Sequence, residues 1–255
     1  MTDCERARRL FDGWEETMVW SCLQGHMGRL ESGRGGRAAR ITSGDFCFLA
    51  GEPDRGLVES ISVPLVTART EDWHPVIEAV WGTRAVPDTR YAIRKEPGIF
   101  DRQRLAALAA ALPPDCTLRP MDEAMVPVLL AQGWSRDFCS CFDGPGDFVR
   151  RGLGVAALWE GVPVAGASSY IIYEGGIEIE IDTRPDHRRR GLAAVCGAAL
   201  ILMCLDRGLY PSWDACDLRS VALAEKLGYR RGEPYPIYWL QEAPGGGGSE
   251  AGKEM

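Results

Sequence analysis

The stretch 177–193 constrains this chain more than any other part of its sequence. It begins as a strand in which isoleucines alternate with carboxylates (IEIEIDT), continues through an arginine-rich turn, and ends in Arg-x-x-Gly-x-Ala at the start of an apolar helix. A helix N-terminus exposes unpaired backbone N–H groups and the positive end of the helix dipole. Gly191 lets the backbone approach a ligand closely, and Ala193 keeps that approach open. The pattern therefore predicts a cradle for a diphosphate group.

Other interpretations of the basic turn are weaker. The stretch is not GxGxxG, and the chain has no GxxxxGK[ST], which argues against a dinucleotide-binding fingerprint and a P-loop. A charge run such as 187–190 is also commonly a solvated surface turn. A third alternative is nucleic-acid binding, but the net charge of -7 disfavours it because such proteins neutralise phosphates with basic surfaces.

The strand before the turn carries three carboxylates on one face. Glu178, Glu180 and Asp182 follow one another at every second residue, so their side chains point to the same side of the strand. Like charges at this spacing raise one another's pKa, which suits a base that deprotonates an ammonium group near neutral pH. A polar strand edge that faces solvent is the alternative. We expect Glu180 to be the base, directly or through water.

Composition is that of an ordinary globular protein. Of the 255 residues, 45% are hydrophobic and 25% charged, which excludes collagen-like and wholly disordered chains. The sequence has no apolar run of about 18 residues and no basic-then-apolar signal pattern at its acidic N-terminus. The nine cysteines and three histidines are scattered, which favours free thiols over a disulfide framework or a metal site. We therefore expect a cytoplasmic protein without a metal.

Periodicity predicts an α+β protein with an internal boundary. A long helix is expected over 4–27, and an Ala/Leu-rich helix ends at Pro113-Pro114, which cannot continue it. The domains predicted from this boundary are 1–112, an α/β subdomain, and 113–241, followed by a disordered Gly-rich tail over 242–255. The second domain is predicted to contain an antiparallel meander (154–159, 164–173, 177–183), helices at 190–207 and 220–227, and a short strand at 211–215.

Two ordered motifs resemble those of the GNAT N-acetyltransferases. The strand followed by [Arg/Gln]-x-x-Gly-x-[Gly/Ala] is similar to the acyl-CoA loop of that family, and DACDLRSVALAEKLGY resembles its Asn-x-x-[Ala/Ser]…Lys-x-Gly-[Phe/Tyr] segment. The runs GWEETMVWSCLQG, GDFCFLAG, YAIRKEP, WSRDF, GASSY, GGIEIEIDTR and YPSWDA look like the GNAT branch that includes zwittermicin A resistance acetyltransferases. The resemblance runs from about Leu10 to Tyr238. It implies a mixed, mostly antiparallel sheet flanked by helices, with a smaller N-terminal α/β subdomain.

The resemblance also implies a reaction and a cosubstrate. Acetyl-CoA would donate its acetyl group directly to a primary amine of a small molecule within a ternary complex. A backbone N–H near Ile181 or Asp182 would polarise the thioester carbonyl. The family's helical segment before the meander overhangs the acceptor site, which makes Trp134 and Arg136 candidate substrate-binding residues and Asp137 a further residue that could line the site. The implied cofactor-binding residues are Ile181, Thr183, Arg188, Arg189, Arg190, Gly191, Leu192, Ala193, Asp217 and Ser220.

The sequence departs from the family pattern at three positions. Asp217 replaces an Asn, and its charge would repel phosphates. Ile177 occupies the position of a Glu general base in several members, which leaves the base to the neighbouring carboxylates. Ala224 stands where many members carry the Tyr that protonates the leaving thiolate.

The missing tyrosine leaves two questions about the chemistry. Tyr229 is the candidate proton donor, with Tyr235 and Tyr238 as alternatives. A second hypothesis is that the chain is a non-catalytic acyl-CoA-binding regulatory module.

Overall fold

The computed structural model describes residues 2–241, apart from the side chain of Arg34. They divide into two compact units, of which one consists of residues up to 89 together with those from 236 onward, and the other of residues 90–235. The predicted boundary after residue 112 differs from this division, because the helix that precedes it packs against a helix of the second unit. The predicted tail 242–255 lies outside the described residues.

Helices and strands are interspersed along the described chain. The α-helices are α1 (Asp3–Arg9), α2 (Thr17–Gln24), α3 (Arg55–Glu59), α4 (His74–Trp81), α5 (Arg102–Ala110), α6 (Val126–Leu130), α7 (Pro145–Arg151), α8 (Leu192–Asp206) and α9 (Leu218–Leu227). The strands are β1 (Arg29–Ser32), β2 (Ala38–Ser43), β3 (Phe46–Gly51), β4 (Leu65–Ala68), β5 (Ala85–Ile93), β6 (Cys116–Pro120), β7 (Gly154–Trp159), β8 (Val162–Tyr173), β9 (Gly176–Thr183), β10 (Tyr210–Ser212), β11 (Asp214–Ala215) and β12 (Arg231–Leu240). Short 3-10 turns lie at Arg34–Gly36, Glu71–Trp73, Gly82–Arg84, Arg136–Phe138 and Pro185–His187. No helix within residues 2–241 has the length and apolar character needed to cross a bilayer.

The first unit is a sheet with helices around one core. Its strands lie in the order β1-β2-β3-β4-β12, and the β3–β4 pair is parallel while the others are antiparallel. Trp73 and Ile77 are fully buried in a cluster with Leu49, Val66 and Leu240. The burial of these large apolar side chains is the main source of the unit's stability.

The single long helix predicted at the start of the first unit was wrong. The helix expected over 4–27 is interrupted between α1 and α2, where Gly13 adopts φ 71° and the Glu16 side chain accepts a hydrogen bond from the first turn of α2. Apolar spacing continues across this interruption, so periodicity cannot reveal it. The glycine- and arginine-rich stretch 33–37 connects two antiparallel strands, β1 and β2, that the sequence did not indicate.

The second unit contains the predicted meander. Its main sheet has the order β10-β9-β8-β7-β6, in which all pairs are antiparallel except β10 with β9. Helix α8 packs on this sheet, and α5 packs on α8. A Cβ on Gly197 would lie 2.9 Å from Cδ1 of Ile181, so glycine lets α8 approach β9 closely. The predicted α+β class, with a mixed and mostly antiparallel sheet, is confirmed.

Strands β9 and β10 part half-way along β9. They pair from Tyr210 opposite Gly176 to Ser212 opposite Glu178. The next residues, 214–215, form β11, which pairs instead with β5. The single strand predicted over 211–215 was therefore wrong, because its second half has a different partner. The gap between β9 beyond Glu178 and the diverging chain after Ser212 is called the opening below.

Candidate active site

One backbone amide of β9 points into the opening. The Arg184 N–H donates to the Val164 carbonyl at 2.8 Å, and the register places Asp182 opposite Gly166. Hydrogen-bonded and non-bonded pairs alternate along an antiparallel ladder. The amides of alternate residues, including Asp182, therefore point to β8, whereas the Ile181 N–H points away from β8. This amide faces the opening rather than a neighbouring strand.

Glu180 lies at the same point of the strand and is half-buried. Burial and the neighbouring carboxylates of Asp182 and Asp137 raise its pKa from the ordinary 4.5 to about 8, while the Arg90 guanidinium and the Ile181 amide oppose the rise. A carboxylate with such a pKa accepts and returns protons near neutral pH. The amide that faces the opening is thus close enough to Glu180 to interact with it.

Asp137 reaches Glu180 from a different part of the chain. Ser168, opposite Glu180 on β8, donates its hydroxyl to the Phe138 carbonyl at 2.8 Å, which ties the turn Arg136–Phe138 to this face of the sheet. Sequence reasoning named Asp137 beside Arg136 as a residue that could line the acceptor site, but it did not predict the effect of Asp137 on Glu180. Asp137 carries no spacing relation to Glu180, and only the fold reveals their proximity.

The two predicted substrate-binding residues surround this turn. The Trp134 indole donates to the Gln132 side chain at 2.8 Å, and its ring packs edge-on against Phe138. Arg136 has a side chain that is 61% exposed, with Nε 3.7 Å from Oδ1 of Asp137. Both residues thus contact neighbours within this segment, and their role in binding an acceptor stays a prediction.

The other two carboxylates of β9 have different surroundings. Glu178 is only 5% exposed and lies in the part of β9 that pairs with β10. Asp182 accepts a hydrogen bond from the Thr183 amide at 2.6 Å. Burial raises the pKa of Asp182, while the Thr183 amide and the Arg188 guanidinium oppose the rise. The three side chains share one strand face, but Glu180 is the one placed at the opening.

A cleft of about 310 Å³ lies at the start of α8. It is called the diphosphate cleft, and its lining consists of Ile181, Asp182, Thr183, His187, Arg188, Arg189, Gly191, Leu192, Ala193, Ala194, Leu223 and Lys226. Gly191 precedes the helix with φ 81°, and no side chain caps the helix N-terminus. The first amides of α8 are therefore free of helical partners. Together with the cations of Arg188, Arg189 and Lys226, this donor set fits a diphosphate group.

Three of the predicted cofactor-binding residues do not line the diphosphate cleft. Arg190 forms an ion pair with Asp115 and lies 3.0 Å from Nδ1 of His187. Asp217 caps α9, where it accepts a hydrogen bond from the Ser220 amide at 2.8 Å. Ser220 is half-buried in the first turn of that helix. The cofactor roles predicted for these residues stay predictions.

Two residues of α9 in the diphosphate cleft were missed by sequence reasoning. Leu223 and Lys226 line it from the other side. They lie one helical turn apart, and this spacing was the signal that could have found them once α9 was placed near α8.

The candidate proton donors are all engaged with other groups. The Tyr229 hydroxyl donates to the Pro211 carbonyl at 2.7 Å, and burial raises its pKa well above the ordinary value. The Tyr235 hydroxyl donates to Oδ2 of Asp214 at 2.9 Å, and that of Tyr238 to Oε1 of Glu78 at 2.7 Å. Protonation of a leaving thiolate by Tyr229 stays a prediction that this geometry does not favour.

Comparison with known proteins settles the family. A family model described as GNAT acetyltransferase matches residues 8–238. The chain belongs to the GNAT acetyltransferase family. The family and the fold expected from the two motifs are thus confirmed, and membership indicates an acyltransferase of a family that generally uses acetyl-CoA.

Individual relatives agree with this assignment. The uncharacterized N-acetyltransferase YdfB of Bacillus subtilis (strain 168) is 26% identical over 194 residues, which are 75% of this chain and 71% of that protein. The crystal structure of a GCN5-related N-acetyltransferase-like protein from Streptococcus suis 89/1591 is 40% identical, with a TM-score of 0.88, and the match covers 93% of this chain and 99% of that one. A GCN5-related N-acetyltransferase from Kribbella flavida, 17% identical with a TM-score of 0.55, covers 89% of this chain and 94% of its own and shows the fold alone.

Proposed function

We propose that the chain transfers the acetyl group of acetyl-CoA to a primary amine of a small molecule, by direct attack within a ternary complex. The observation that carries the proposal is the opening, where the Ile181 N–H and the Glu180 carboxylate meet beside the diphosphate cleft. A hydrogen-bond donor, a base and an anion-binding helix terminus are the groups that acyl transfer from a diphosphate-containing thioester needs.

The diphosphate cleft holds the cosubstrate in this proposal. The amides of Leu192 and Ala193 donate to phosphate oxygens, and the side chains of Arg188, Arg189 and Lys226 neutralise their charge. Bound acetyl-CoA supplies an acyl group that is already activated as a thioester. The Ile181 N–H then donates to the carbonyl oxygen and stabilises the negative charge that develops there.

Glu180 prepares the amine for attack. An ammonium group is attracted by the carboxylates of Asp137, Glu180 and Asp182, which share this region of the site. Glu180 accepts its proton, directly or through water, and leaves a neutral amine with a free electron pair. The neutral amine attacks the thioester carbonyl, a C–N bond forms as the C–S bond breaks, and CoA leaves as a thiolate that takes up the second proton lost by the nitrogen. A deprotonated amine attacks a thioester readily, so the proposal requires no covalent enzyme intermediate. Trp134 and Arg136 border the region that the rest of the acceptor would occupy.

A non-catalytic acyl-CoA-binding module is the second candidate function. The observation that favours it is the absence of a tyrosine at position 224, together with the engagement of the Tyr229 hydroxyl by Pro211. Such a module would keep the diphosphate cleft and would release no thiol.

Thiol release from acetyl-CoA separates the two candidates. The protein is incubated with acetyl-CoA and a panel of primary amines, including diamines and amino acids, and free CoA is followed with a thiol reagent. We expect amine-dependent release, and we also expect CoA to raise the melting temperature. Stabilisation by CoA without release for any amine would favour the regulatory module. Absence of both effects would overturn the proposal.

A further inference from the structure

A buried ion pair lies across the opening from Glu180. Ser212, the last residue of β10, pairs with Glu178 on β9. Asp214 lies two residues after Ser212, and Glu180 lies two residues after Glu178. The Arg90 guanidinium donates to the Asp214 carboxylate and, at 3.2 Å, to the Asp214 carbonyl. The Tyr235 hydroxyl donates to the second carboxylate oxygen at 2.9 Å. The side chains of Arg90 and Asp214 are only 11% and 9% exposed, so the pair is fixed by its packing.

Titratable groups act on Glu180 from four parts of the chain. Asp182 acts on it from the same strand, Asp137 from the turn Arg136–Phe138, and Arg90 from β5. The Cys216 thiol faces it from the chain after β11. Among these described groups Arg90 carries the positive charge, and it opposes the effects of burial and of the two aspartates. Burial acts against the charge of Arg90 itself, but Asp214 and Tyr235 outweigh that effect and raise its pKa.

We propose that Arg90, held in place by Asp214 and Tyr235, is a positioning residue that favours the charged, proton-accepting form of the Glu180 carboxylate. Without a nearby cation, a carboxylate that is half-buried between two others would keep its proton to a still higher pH. Asp214 limits the effect of the guanidinium by neutralising part of its charge. The pair therefore sets the pH above which the amine can be deprotonated. This inference rests on the proposed function, because it takes Glu180 as the base.

The two members of the pair have opposite effects on Glu180. Arg90→Gln removes the cation, so the Glu180 carboxyl keeps its proton to higher pH. Asp214→Asn removes the anion and leaves the cation, so Glu180 loses its proton at lower pH. A purely structural role for the pair would give losses in the same direction for both variants. The double variant Arg90→Gln/Asp214→Asn and the conservative Arg90→Lys preserve the local charge balance.

The pH dependence of kcat/KM tests the proposal. In Arg90→Gln we expect the acid limb of the kcat/KM profile to move to higher pH by about one unit, which lowers kcat/KM roughly tenfold at pH 7. In Asp214→Asn the acid limb should move to lower pH by a comparable amount. In the double variant and in Arg90→Lys the limb should stay near its wild-type position. Limbs that move in the same direction in both single variants, or that do not move in Asp214→Asn, would overturn the proposal. If Arg90→Gln does not fold, Asp214→Asn and Arg90→Lys still decide it.

A measurement without turnover separates this proposal from the proposed function. In protein with 13C-labelled glutamate carboxyls, the Glu180 resonance is assigned by its loss in Glu180→Gln and titrated in each variant. Opposite shifts of its titration midpoint in Arg90→Gln and Asp214→Asn would support the role of Arg90 even if Glu180→Gln remained fully active. Unchanged midpoints would overturn it even if Glu180 proved to be the base.

Discussion

The two ends of the site on β9 are built from different parts of the polypeptide. At the diphosphate cleft the anion-binding groups are backbone amides, which Gly191 presents through a left-handed conformation at φ 81°. At the opening the proposed base is a side chain, Glu180, whose protonation is affected by Asp137, Asp182 and Arg90. The diphosphate cleft, called the main-chain end below, depends on the path of the backbone. The opening, called the side-chain end, depends on which charged side chains the fold brings together.

This difference explains which sequence changes the site tolerates. Arg190 and Asp217 belong to the GNAT-like motifs, yet in this chain one pairs with Asp115 and the other caps α9. The diphosphate cleft keeps its amides because these do not depend on side-chain identity. The opening has no such freedom, because loss of one charge changes the protonation of Glu180.

The largest effect is expected at the side-chain end. Glu180→Gln should lower kcat/KM by about 100- to 1,000-fold, because the amine loses its proton acceptor. In the wild type, kcat/KM should rise with pH and level off above about pH 8, the pKa to which burial raises Glu180. The measurement is the pH profile of both proteins with one amine acceptor. An unchanged profile in the variant would remove Glu180 from the mechanism.

Protein stability provides a control for this variant. Because the folded-state pKa of Glu180 is raised from 4.5 to about 8, its favourable contribution is complete below pH 4.5 and is lost as the pH rises to 8. Gln resembles the protonated carboxyl, so Glu180→Gln should melt at the same temperature as the wild type near pH 4.5 and at a higher one at pH 9. Glu174→Gln, at the exposed β8–β9 turn, should change neither activity nor this pH dependence.

A smaller effect is expected at the main-chain end. Gly191→Val places a β-branched residue at φ 81°, which costs about 1–2 kcal/mol in the conformation that presents the amides. We expect roughly tenfold weaker CoA binding by calorimetry. Gly208→Val is the matched control, because Gly208 has φ 69° and open space around it, as Gly191 has, but lies after the opposite end of α8. Equal losses of CoA affinity in both variants would show that the effect is general destabilisation.

Sequence reasoning identified the main-chain end better than the side-chain end. A strand, a turn and a helix start are local patterns, so 177–193 predicted them and also the shared face of its carboxylates. Asp137 and Arg90 act on Glu180 only because separate elements meet there. After Ser212 the chain stops pairing with β9 and pairs instead with β5, a strand far away in sequence. Periodicity carries no information about such partners.

A third prediction concerns Asp217, which the family motif assigns to the cofactor. In the structure its carboxylate accepts a hydrogen bond from the Ser220 amide at the start of α9. Asp217→Ala should therefore lower the free energy of unfolding by about 1 kcal/mol, and Asp217→Asn should lower it by only a few tenths, since both Asp and Asn cap helices. Urea unfolding measures both changes. A loss of CoA affinity in Asp217→Ala larger than in Gly191→Val would instead place this residue at the main-chain end of the site.

The smallest effect is expected for the cation that α9 contributes to the diphosphate cleft. Lys226 lines the cleft with its charge near the solvent, where screened ion pairs contribute about 0.2–1 kcal/mol. Lys226→Met should weaken CoA binding about threefold at low salt, and the difference should vanish near 1 M salt because the Debye length falls to about 3 Å. Arg207→Met removes the same charge at the far end of α8 and should leave CoA affinity unchanged. An effect of Lys226→Met that persists at high salt would mean that its side chain contacts the cosubstrate through packing, and the cleft would then depend on side chains more than its amides suggest.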